Sequence, residues 1–415
     1  MFTINASAGG GTRTHTSEGT QVPKTCASTS SATPAWKLQK GGYKLIKYCS
    51  IPCCMVGVLL FVLVTADSFA QVEQAVPPST DENVEIKHTW RFAQEAASQS
   101  SLPHVIDANW IENARLGTLQ LPGCAAALVS ADGLAITSAT CLRSLETWIR
   151  PNDSVFVAST LSDERKLSGL TVRQLVDIRE LARIEDASED LETGVEAVVI
   201  AVDDSSTLRE YVWRTYNDVR LVVIPSVDVT DFGNEDGVYP RYAINFALFR
   251  VYDDSAQPLD TESYFAWNDR RPLDRERFFA TAFDANEPFT VMTLSKTFSY
   301  NGTISPPYTT LYGMLDQHYS HGAIGSWVLS EDWLSGIKES DLATALNFSV
   351  VGECAQTGAG LINVDMEILG VAFDNTDTEE GTYCVAISTS GILALLRTAL
   401  KAEGVADELA EQALP

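Results

Sequence analysis

The stretch Cys124-Ala-Ala-Ala-Leu-Val-Ser-Ala-Asp-Gly-Leu-Ala-Ile-Thr-Ser-Ala-Thr-Cys141 decides the fold. Two apolar runs, Ala125 to Val129 and Leu134 to Thr137, flank the pair Asp132-Gly133. Asp-Gly between apolar runs is a strong signal for a tight hairpin turn. Because a cysteine stands at each end, the stretch predicts a β-hairpin whose ends are joined by a disulfide bond.

Short β-rich runs separated by turn signals continue on both sides of the hairpin. This spacing is typical of an all-β barrel or sandwich. Residues 203–217 have a more helical pattern, and the polar residues 253–274 predict a long loop between two β-rich blocks. After the second block, Ser390 is a possible N-cap of an amphipathic helix. The β-rich runs are 119–121, 154–157, 170–172, 195–202, 219–224, 244–252, 289–292, 347–351, 360–363 and 368–373.

The predicted organisation has four parts. Residues 1–70 form a leader and signal peptide, and residues 71–270 form a first β-barrel with an N-terminal helical segment. The short helix candidates in that segment are 90–98 and 107–115. Residues 271–388 form a second β-barrel, and residues 389–415 form a C-terminal helix. Two β-rich blocks and a closing helix match the double-barrel layout of chymotrypsin-like enzymes.

Residues 44–70 have the pattern of a secretory signal. Lys44 and Lys47 precede the apolar run 55–64, and Ser68-Phe69-Ala70 places small residues where a signal peptidase cleaves. The apolar run is short for a membrane span. We therefore expect a periplasmic or secreted protein with no stable span after cleavage. Residues 1–43 are interpreted as an over-extended start or a disordered leader.

Charge and cysteine content narrow the functional classes. The 415 residues carry a net charge of −26 without a Lys/Arg-rich patch, which argues against a nucleic-acid partner.

Four cysteines follow residue 70, and an even number in an exported chain suggests two disulfides. Three pairings are possible. We favour Cys124 with Cys141 and Cys354 with Cys384.

Several stretches, taken in order, resemble the bacterial periplasmic dipeptidyl-peptidases of the 7 and 11 type. These relatives are chymotrypsin-fold serine exopeptidases with a helical domain inserted in the second barrel. The resemblance runs through most of residues 71–415 and implies no cofactor. The short connection at 300–306 leaves no room for the helical domain. The matching stretches are 108–116, 130–134, 216–222, Tyr239-Pro240-Arg241, 249–252, 306–311 and 369–374.

The resemblance places the catalytic triad at three positions, all of which are changed. Thr140 stands where the family has its histidine base, Asn245 where it has the orienting aspartate, and Thr357 where it has the serine nucleophile. A hydroxyl nucleophile needs an adjacent base, and neither Thr140 nor Asn245 has a nitrogen that takes up a proton at neutral pH. The matched segments are 137–141, 244–247 and 355–360.

The family's clamp for the substrate's amino terminus falls on Asp236 and Gly237, so the aromatic wall of that clamp is missing. Asp236 could still attract an ammonium group, or it could serve only as a turn residue. Gly358, together with Gly360, could form a backbone pocket like an oxyanion hole, or it could be a tight turn.

His318 and His321 form a pair with two interpretations. They could be a displaced base or a metal-binding pair, or they could lie at a solvated helix end. Two histidines without further ligands are weak evidence for a metal site, so no metal is predicted.

The residues therefore predict a pseudo-peptidase that keeps the fold and has lost the chemistry. Residual binding of a peptide or protein in an open cleft is its expected role. Two alternatives remain: an active dipeptidyl aminopeptidase with a rearranged site that uses Thr357, and a structural envelope protein.

Overall fold

The computed structural model describes residues 88–90, 106–143, 155–188, 191–202, 207–233, 241–272, 276–283, 290–296, 308–322, 325–352, 354, 356–378 and 381–412. The predicted signal peptide, the clamp positions Asp236 and Gly237 and the segment 297–307 lie outside these residues. None of the helices found within the described ranges is long and apolar enough to cross a membrane.

The described residues form a mainly β structure with helices at its margins. The helices are α1 Ala108–Leu116, α2 Ala139–Arg143, α3 Val227–Thr230, α4 Leu311–His321, α5 Glu331–Gly336, α6 Thr389–Arg397 and α7 Glu403–Gln412. The strands are β1 His88–Trp90, β2 Thr118–Leu121, β3 Cys124–Leu128, β4 Leu134–Thr137, β5 Phe156–Val157, β6 Arg165–Lys166, β7 Val172–Leu181, β8 Val195–Val202, β9 Thr207–Tyr216, β10 Asp218–Ile224, β11 Ala247–Tyr252, β12 Ala266–Trp267, β13 Arg277–Ala282, β14 Thr290–Lys296, β15 Tyr308–Thr310, β16 Ala345–Val351, β17 Gly360–Ile362, β18 Glu367–Thr378 and β19 Gly381–Ser388.

The strands build two sheets. The first has the order β5-β10-β11-β4-β3-β2-β7-β9-β8, with β6 paired to β10. The second has the order β1-β14-β13-β17-β18-β19-β16-β15, with β12 paired to β18. Neighbouring strands are antiparallel apart from the β12–β18 pair. The predicted mainly β class with two β-rich blocks is confirmed.

The opening hairpin is present as predicted. Strands β3 and β4 pair in the register Ala127 to Ile136, and the disulfide between Cys124 and Cys141 closes its ends. The turn needs a glycine because Gly133 has φ +77°, and a Cβ there would stand 2.8 Å from the carbonyl oxygen of Val251. The second predicted disulfide, Cys354 with Cys384, is also present.

The helical prediction for residues 203–217 is wrong, because strand β9 occupies Thr207–Tyr216. This strand pairs with β7 on one side and β8 on the other. Arg209 and Glu210 are both buried in it, where they form ion pairs with Glu180 and Arg179. Consecutive buried charges conceal the alternation by which a strand is recognised in a sequence.

Trp90, the first residue of the helix candidate 90–98, lies in strand β1, and the rest of that candidate lies outside the described residues. The candidate 107–115 is present as α1. Residues His88–Trp90 pair with β14 of the second sheet, with Trp90 opposite Val291. The short strand β12 likewise pairs with β18 of that sheet. Both strands lie within the range predicted for the first block, so the second sheet recruits residues from the first part of the chain.

The helical insertion of the family is absent between β14 and β15, which only residues 297–307 separate. A small helical segment instead lies between β15 and β16. It contains α4 and α5, and the side chain of Thr310 caps α4 by accepting a hydrogen bond from the Gly313 N–H at 3.1 Å.

The C-terminal region forms two helices where one was predicted. The cap of α6 is Ser388 rather than Ser390, since the Ser388 hydroxyl accepts a hydrogen bond from the Gly391 N–H at 3.0 Å. Helix α6 ends because the Ala402 N–H bonds to the carbonyl of Leu396, and Lys401 takes the left-handed φ of +55°. A hydrogen bond from an N–H to the carbonyl six residues earlier, together with a residue in the left-handed conformation, is a common way to end a helix.

The two sheets share a core and are joined by hydrogen bonds. Trp110 of α1 packs edge-on against Phe279 of β13, with ring centroids 5.1 Å apart. Its indole N–H donates to the carbonyl of Val364 at 2.9 Å. The hydroxyl of Thr118 donates to that of Thr281 at 2.7 Å. Helix α1 and strand β2 thus fix the first sheet against the second.

A buried arginine connects the last helix to the hairpin turn. Arg250 of β11 forms ion pairs with Asp132 of the turn, with Glu164 at 2.9 Å, and with Glu408 of α7 at 3.5 Å. The hydroxyl of Tyr252 donates to Glu164 at 2.7 Å. Three carboxylates around one guanidinium leave a surplus of negative charge, so holding a proton on one of them is favourable.

Among these carboxyl groups, Glu408 is the one whose pKa lies above its usual value. Burial is the largest cause that raises the pKa of Glu408, and the neighbouring Asp132 raises it further. Burial would also raise the pKa of Asp132, but hydrogen bonding from Ser130 and the charge of Arg250 bring it below its usual value. The folded state therefore binds a proton at Glu408 more tightly than the unfolded state does.

We predict that Glu408→Gln stabilises the protein at about pH 8 and that the gain disappears in acid. A raised carboxyl pKa in the folded state means that ionisation costs stability as the pH rises through that pKa. Below the usual Glu value of 4.5, wild type is protonated in both states, so the glutamine has no advantage. Urea unfolding at several pH values measures the difference.

Glu411→Gln on the exposed side of the same helix is the matched control, and we expect no pH-dependent gain there. Equal effects of the two substitutions at every pH would contradict the role given to Glu408.

Candidate functional site

Thr140 and Asn245 come together because β4 pairs with β11. Ala247 lies opposite Thr137 in this pairing, which places the residue just before β11 beside the start of α2. The Asn245 side-chain N–H donates to the Thr140 hydroxyl at 2.9 Å. The structure thus brings two of the three predicted triad-equivalent residues into direct contact.

Ser138 completes a three-residue hydrogen-bond network. Its hydroxyl donates to the carbonyl oxygen of the Asn245 side chain at 2.8 Å and accepts from the backbone N–H of Thr140 at 3.2 Å. Donation therefore runs from Ser138 to Asn245 to Thr140. The Thr140 oxygen accepts at the end of this series, so its own proton remains available to a further acceptor.

This network has no group that takes up a proton at neutral pH. Its side chains are two hydroxyls and one amide, and all three remain uncharged over the physiological range. Ser138 is fully buried and Asn245 is nearly so, which fixes their orientation. The network can orient a hydrogen-bond donor, but it cannot act as a general base.

Thr357 lies next to the disulfide of the hairpin. Its carbonyl accepts a hydrogen bond from the Ala125 N–H at 2.9 Å and lies 3.6 Å from the Cys141 sulfur. Its side chain is half-buried. Since Cys141 follows Thr140 in the chain, the turn that carries Thr357 is adjacent to the network. Within the described residues, no hydrogen bond joins the Thr357 hydroxyl to Thr140 or Asn245.

Gly358 is structurally required, and its N–H is occupied. The N–H donates to the carbonyl of Ala372 at 2.8 Å, so it cannot also serve a substrate oxygen. Gly360 begins β17 and pairs with Val371. Of the two interpretations of this glycine pair, the tight turn agrees with the backbone of Gly358, and the substrate-binding role for Gly358 stays a prediction.

A pocket opens beside the network. Its cavity measures about 170 Å³, and two ion pairs border it. Arg241 pairs with Asp374 at 2.9 Å, and Arg143 pairs with Asp231 at 2.8 Å. The lining residues are Thr140, Thr230, Asp231, Phe232, Arg241, Ala243, Asn245, Phe373 and Asp374.

These charged lining residues were not assigned a role from the sequence. Arg241 and Asp374 both stand in stretches that resemble the family, but 133 positions separate them in the chain. Only the folded structure shows that they meet. Asp231 lies in a polar segment with no distinguishing pattern.

The histidine pair holds together the small helical segment. The His318 Nδ1 accepts a hydrogen bond from the Leu329 N–H at 3.1 Å, and the His321 ring stacks on Trp327 with centroids 4.5 Å apart. No cluster of three metal-ligating side chains exists among the described residues. The pair therefore packs this segment, and in the described part of the chain neither histidine forms a hydrogen bond with Thr140 or Asn245.

The turn at Gly358 gives a matched pair of variants. Gly358 has φ +83°, and a Cβ there would stand 2.2 Å from both the Ala125 carbonyl oxygen and the Thr137 hydroxyl. Gly169 has φ +85° with nothing within 4 Å. We predict that Gly169→Ala costs about 1–2 kcal/mol from the left-handed backbone alone, and that Gly358→Ala costs at least about 2 kcal/mol more from the overlap.

Urea unfolding of the two variants measures both costs. Equal losses would show that the Gly358 turn does not press against the first sheet.

Comparison with known proteins shows which family and which solved structures this chain resembles. Residues 91–283 match the family model described as peptidase S46. The fold is similar to Porphyromonas endodontalis DPP11 in complex with the dipeptide Arg-Glu, with TM-score 0.61 and 9% identity over 72% of this chain and 94% of that chain. For the same enzyme in complex with substrate, the TM-score is 0.60, with 9% identity over 72% and 94%.

A comparison with curated proteins gave no significant match. At 9% identity the structural likeness establishes the fold alone. The chain is therefore similar to peptidase S46 over its residues 91–283 and shares the fold of DPP11.

Proposed function

We propose that this protein is an exported, catalytically inactive member of the peptidase S46 family that binds a peptide or protein segment in the cleft beside Thr140. One observation carries this proposal: Ser138, Asn245 and Thr140 satisfy one another through hydrogen bonds, and none of them can accept a proton at neutral pH. A peptidase of the serine type needs a base at this place.

The chemical consequence of losing the base is large. An aspartate that faces an imidazole stabilises the imidazolium formed during catalysis, and an amide cannot do so. Removing a complete triad lowers kcat by about 10⁶-fold in a well-measured protease. An internal threonine also lacks the free N-terminal amine that activates threonine nucleophiles elsewhere. No base that could activate Thr357 through a hydrogen bond is found among the described residues.

The binding role is supported by what the cleft retains. The pocket keeps a hydroxyl donor at Thr140, the ion pair of Arg241 with Asp374, and apolar walls. Hydrogen-bonding groups that converge on a partly apolar cavity are typical of ligand sites. The related DPP11 holds the dipeptides Arg-Glu and Arg-Asp, and we take peptides as the ligand class on that basis.

Export is supported by the signal-like segment 44–70 and by the two disulfides. Disulfides persist in the bacterial periplasm and outside cells and are rare in the cytosol. We place the protein in the periplasm or outside the cell.

We predict that the purified protein releases no dipeptides from fluorogenic substrates and is not labelled by a fluorophosphonate. We also predict that restoring His, Asp and Ser together (T140H, N245D and T357S) raises dipeptide release. A positioned general base contributes about 10²–10⁴-fold. The measurement is the initial rate of dipeptide release, compared at equal protein concentration.

The matched control carries T140H and N245D together with T357A, which lacks any nucleophile and should remain at background. Wild-type activity that is lost in Thr357→Ala would instead establish the rearranged peptidase and would overturn the proposal.

A further inference from the structure

The cavity beside Thr140 is large enough for a small ring. Its volume is about 170 Å³. An apolar cavity of about 150 Å³ binds benzene in a well-studied case, so a five-membered ring fits into the space available here. The size therefore admits an aromatic heterocycle or a side chain of similar bulk.

Two of the residues that line the cavity are phenylalanines. Phe232 is fully buried, and its ring packs edge-on against Trp327 with centroids 5.2 Å apart. The second phenylalanine is Phe373 of β18, whose side chain is almost fully buried. Aromatic rings prefer offset or edge-to-face contact with other rings, so fixed aromatic surface favours an aromatic guest.

The polar part of the cavity offers both a donor and an acceptor. The Thr140 hydroxyl accepts from Asn245, so its proton is free to be donated to a ligand. Asp231 contacts Arg143 through Oδ1, which leaves its second carboxylate oxygen to accept a bond. A suitable guest therefore carries an acceptor nitrogen and an N–H group.

Charge compensation at the rim argues for an uncharged guest. The carboxylate of Asp374 is paired with Arg241, and that of Asp231 is paired with Arg143. An anion would compete with a carboxylate for its guanidinium, and a strong cation would compete with a guanidinium for its carboxylate. A neutral ring that hydrogen-bonds at two atoms disturbs neither pair.

We propose that this cavity binds an imidazole ring, which is small, aromatic, and in its neutral form has one acceptor nitrogen and one N–H. The ring is supplied either by a histidine side chain of a bound peptide or by a free imidazole compound. This inference deepens the proposed function and rests on it, since the ring is a ligand of an inactive site.

The test is saturation-transfer difference NMR on the purified wild-type protein with imidazole as the probe. Binding in the millimolar range is expected, since a probe of five heavy atoms has a limited total affinity. 1-Methylimidazole lacks the N–H and should bind at least fivefold more weakly. Absence of saturation transfer to imidazole across the millimolar range would overturn the inference.

Variants at position 140 locate the site. Thr140→Val keeps the shape and removes the hydroxyl, so imidazole should bind at least fivefold more weakly. Thr140→Ser keeps the hydroxyl and should bind as wild type does, which covers the case in which the valine variant fails to fold. Thr140→His fills the cavity with its own ring and should abolish binding.

Thr160→Val is the remote control, because Thr160 is exposed and bonds only to its loop neighbours Ser162 and Asp163 in the described structure. Its imidazole binding should equal that of wild type. Unchanged binding in Thr140→His would place the ring elsewhere and would overturn the inference.

A peptide pair separates the two sources of the ring. A tetrapeptide with an internal histidine should bind at least tenfold more tightly than its alanine counterpart if a peptide supplies the ring. Equal binding of the two peptides, with retained binding of imidazole, assigns the site to a free compound.

Dipeptide release is measured on the same wild-type sample. Release that is lost in Thr357→Ala defeats the proposed function, whereas an inactive protein that ignores imidazole defeats this inference alone.

Discussion

The fold depends on one backbone attachment, in which the turn before β17 is fixed to the first strand of the hairpin. Ala125 donates its N–H to the carbonyl of Thr357, and its own carbonyl accepts from the Thr137 hydroxyl. Gly358 can approach only because it has no Cβ. The disulfide of Cys124 lies at the same place. Because each sheet supplies one partner, this contact sets the position of the second sheet relative to the hairpin and determines where the cleft opens.

Local features were predictable wherever a short stretch dictates its own geometry. The Asp132-Gly133 turn, the four cysteines after residue 70 and the run that became β10 all take the form expected from their residue types. Strand β9 was missed because its buried charges are satisfied by partners on β7, which no local pattern reveals. The break after α6 was missed because Lys401, rather than a glycine, adopts the left-handed backbone.

Some contacts of the site were predictable from the sequence and others were not. The contact of Thr140 with Asn245 followed from the resemblance and is present in the structure. The buried Ser138 that orders both residues has no distinguishing sequence context. The ion pairs at the rim join residues from distant strands and loops, so they become apparent only in the fold. Loss of catalytic residue types is visible in a sequence, whereas the shape of the space that they leave is not.

The composition of the cavity wall has a consequence for how it responds to acidity. Its nine lining side chains are hydroxyls, one amide, carboxylates, one guanidinium and apolar groups. Such groups ordinarily keep their charge between about pH 6 and pH 8. A serine peptidase with a histidine at position 140 would gain a charge in that interval. Thr140 has no ring nitrogen, so the change of charge that a histidine would bring to this position is missing here.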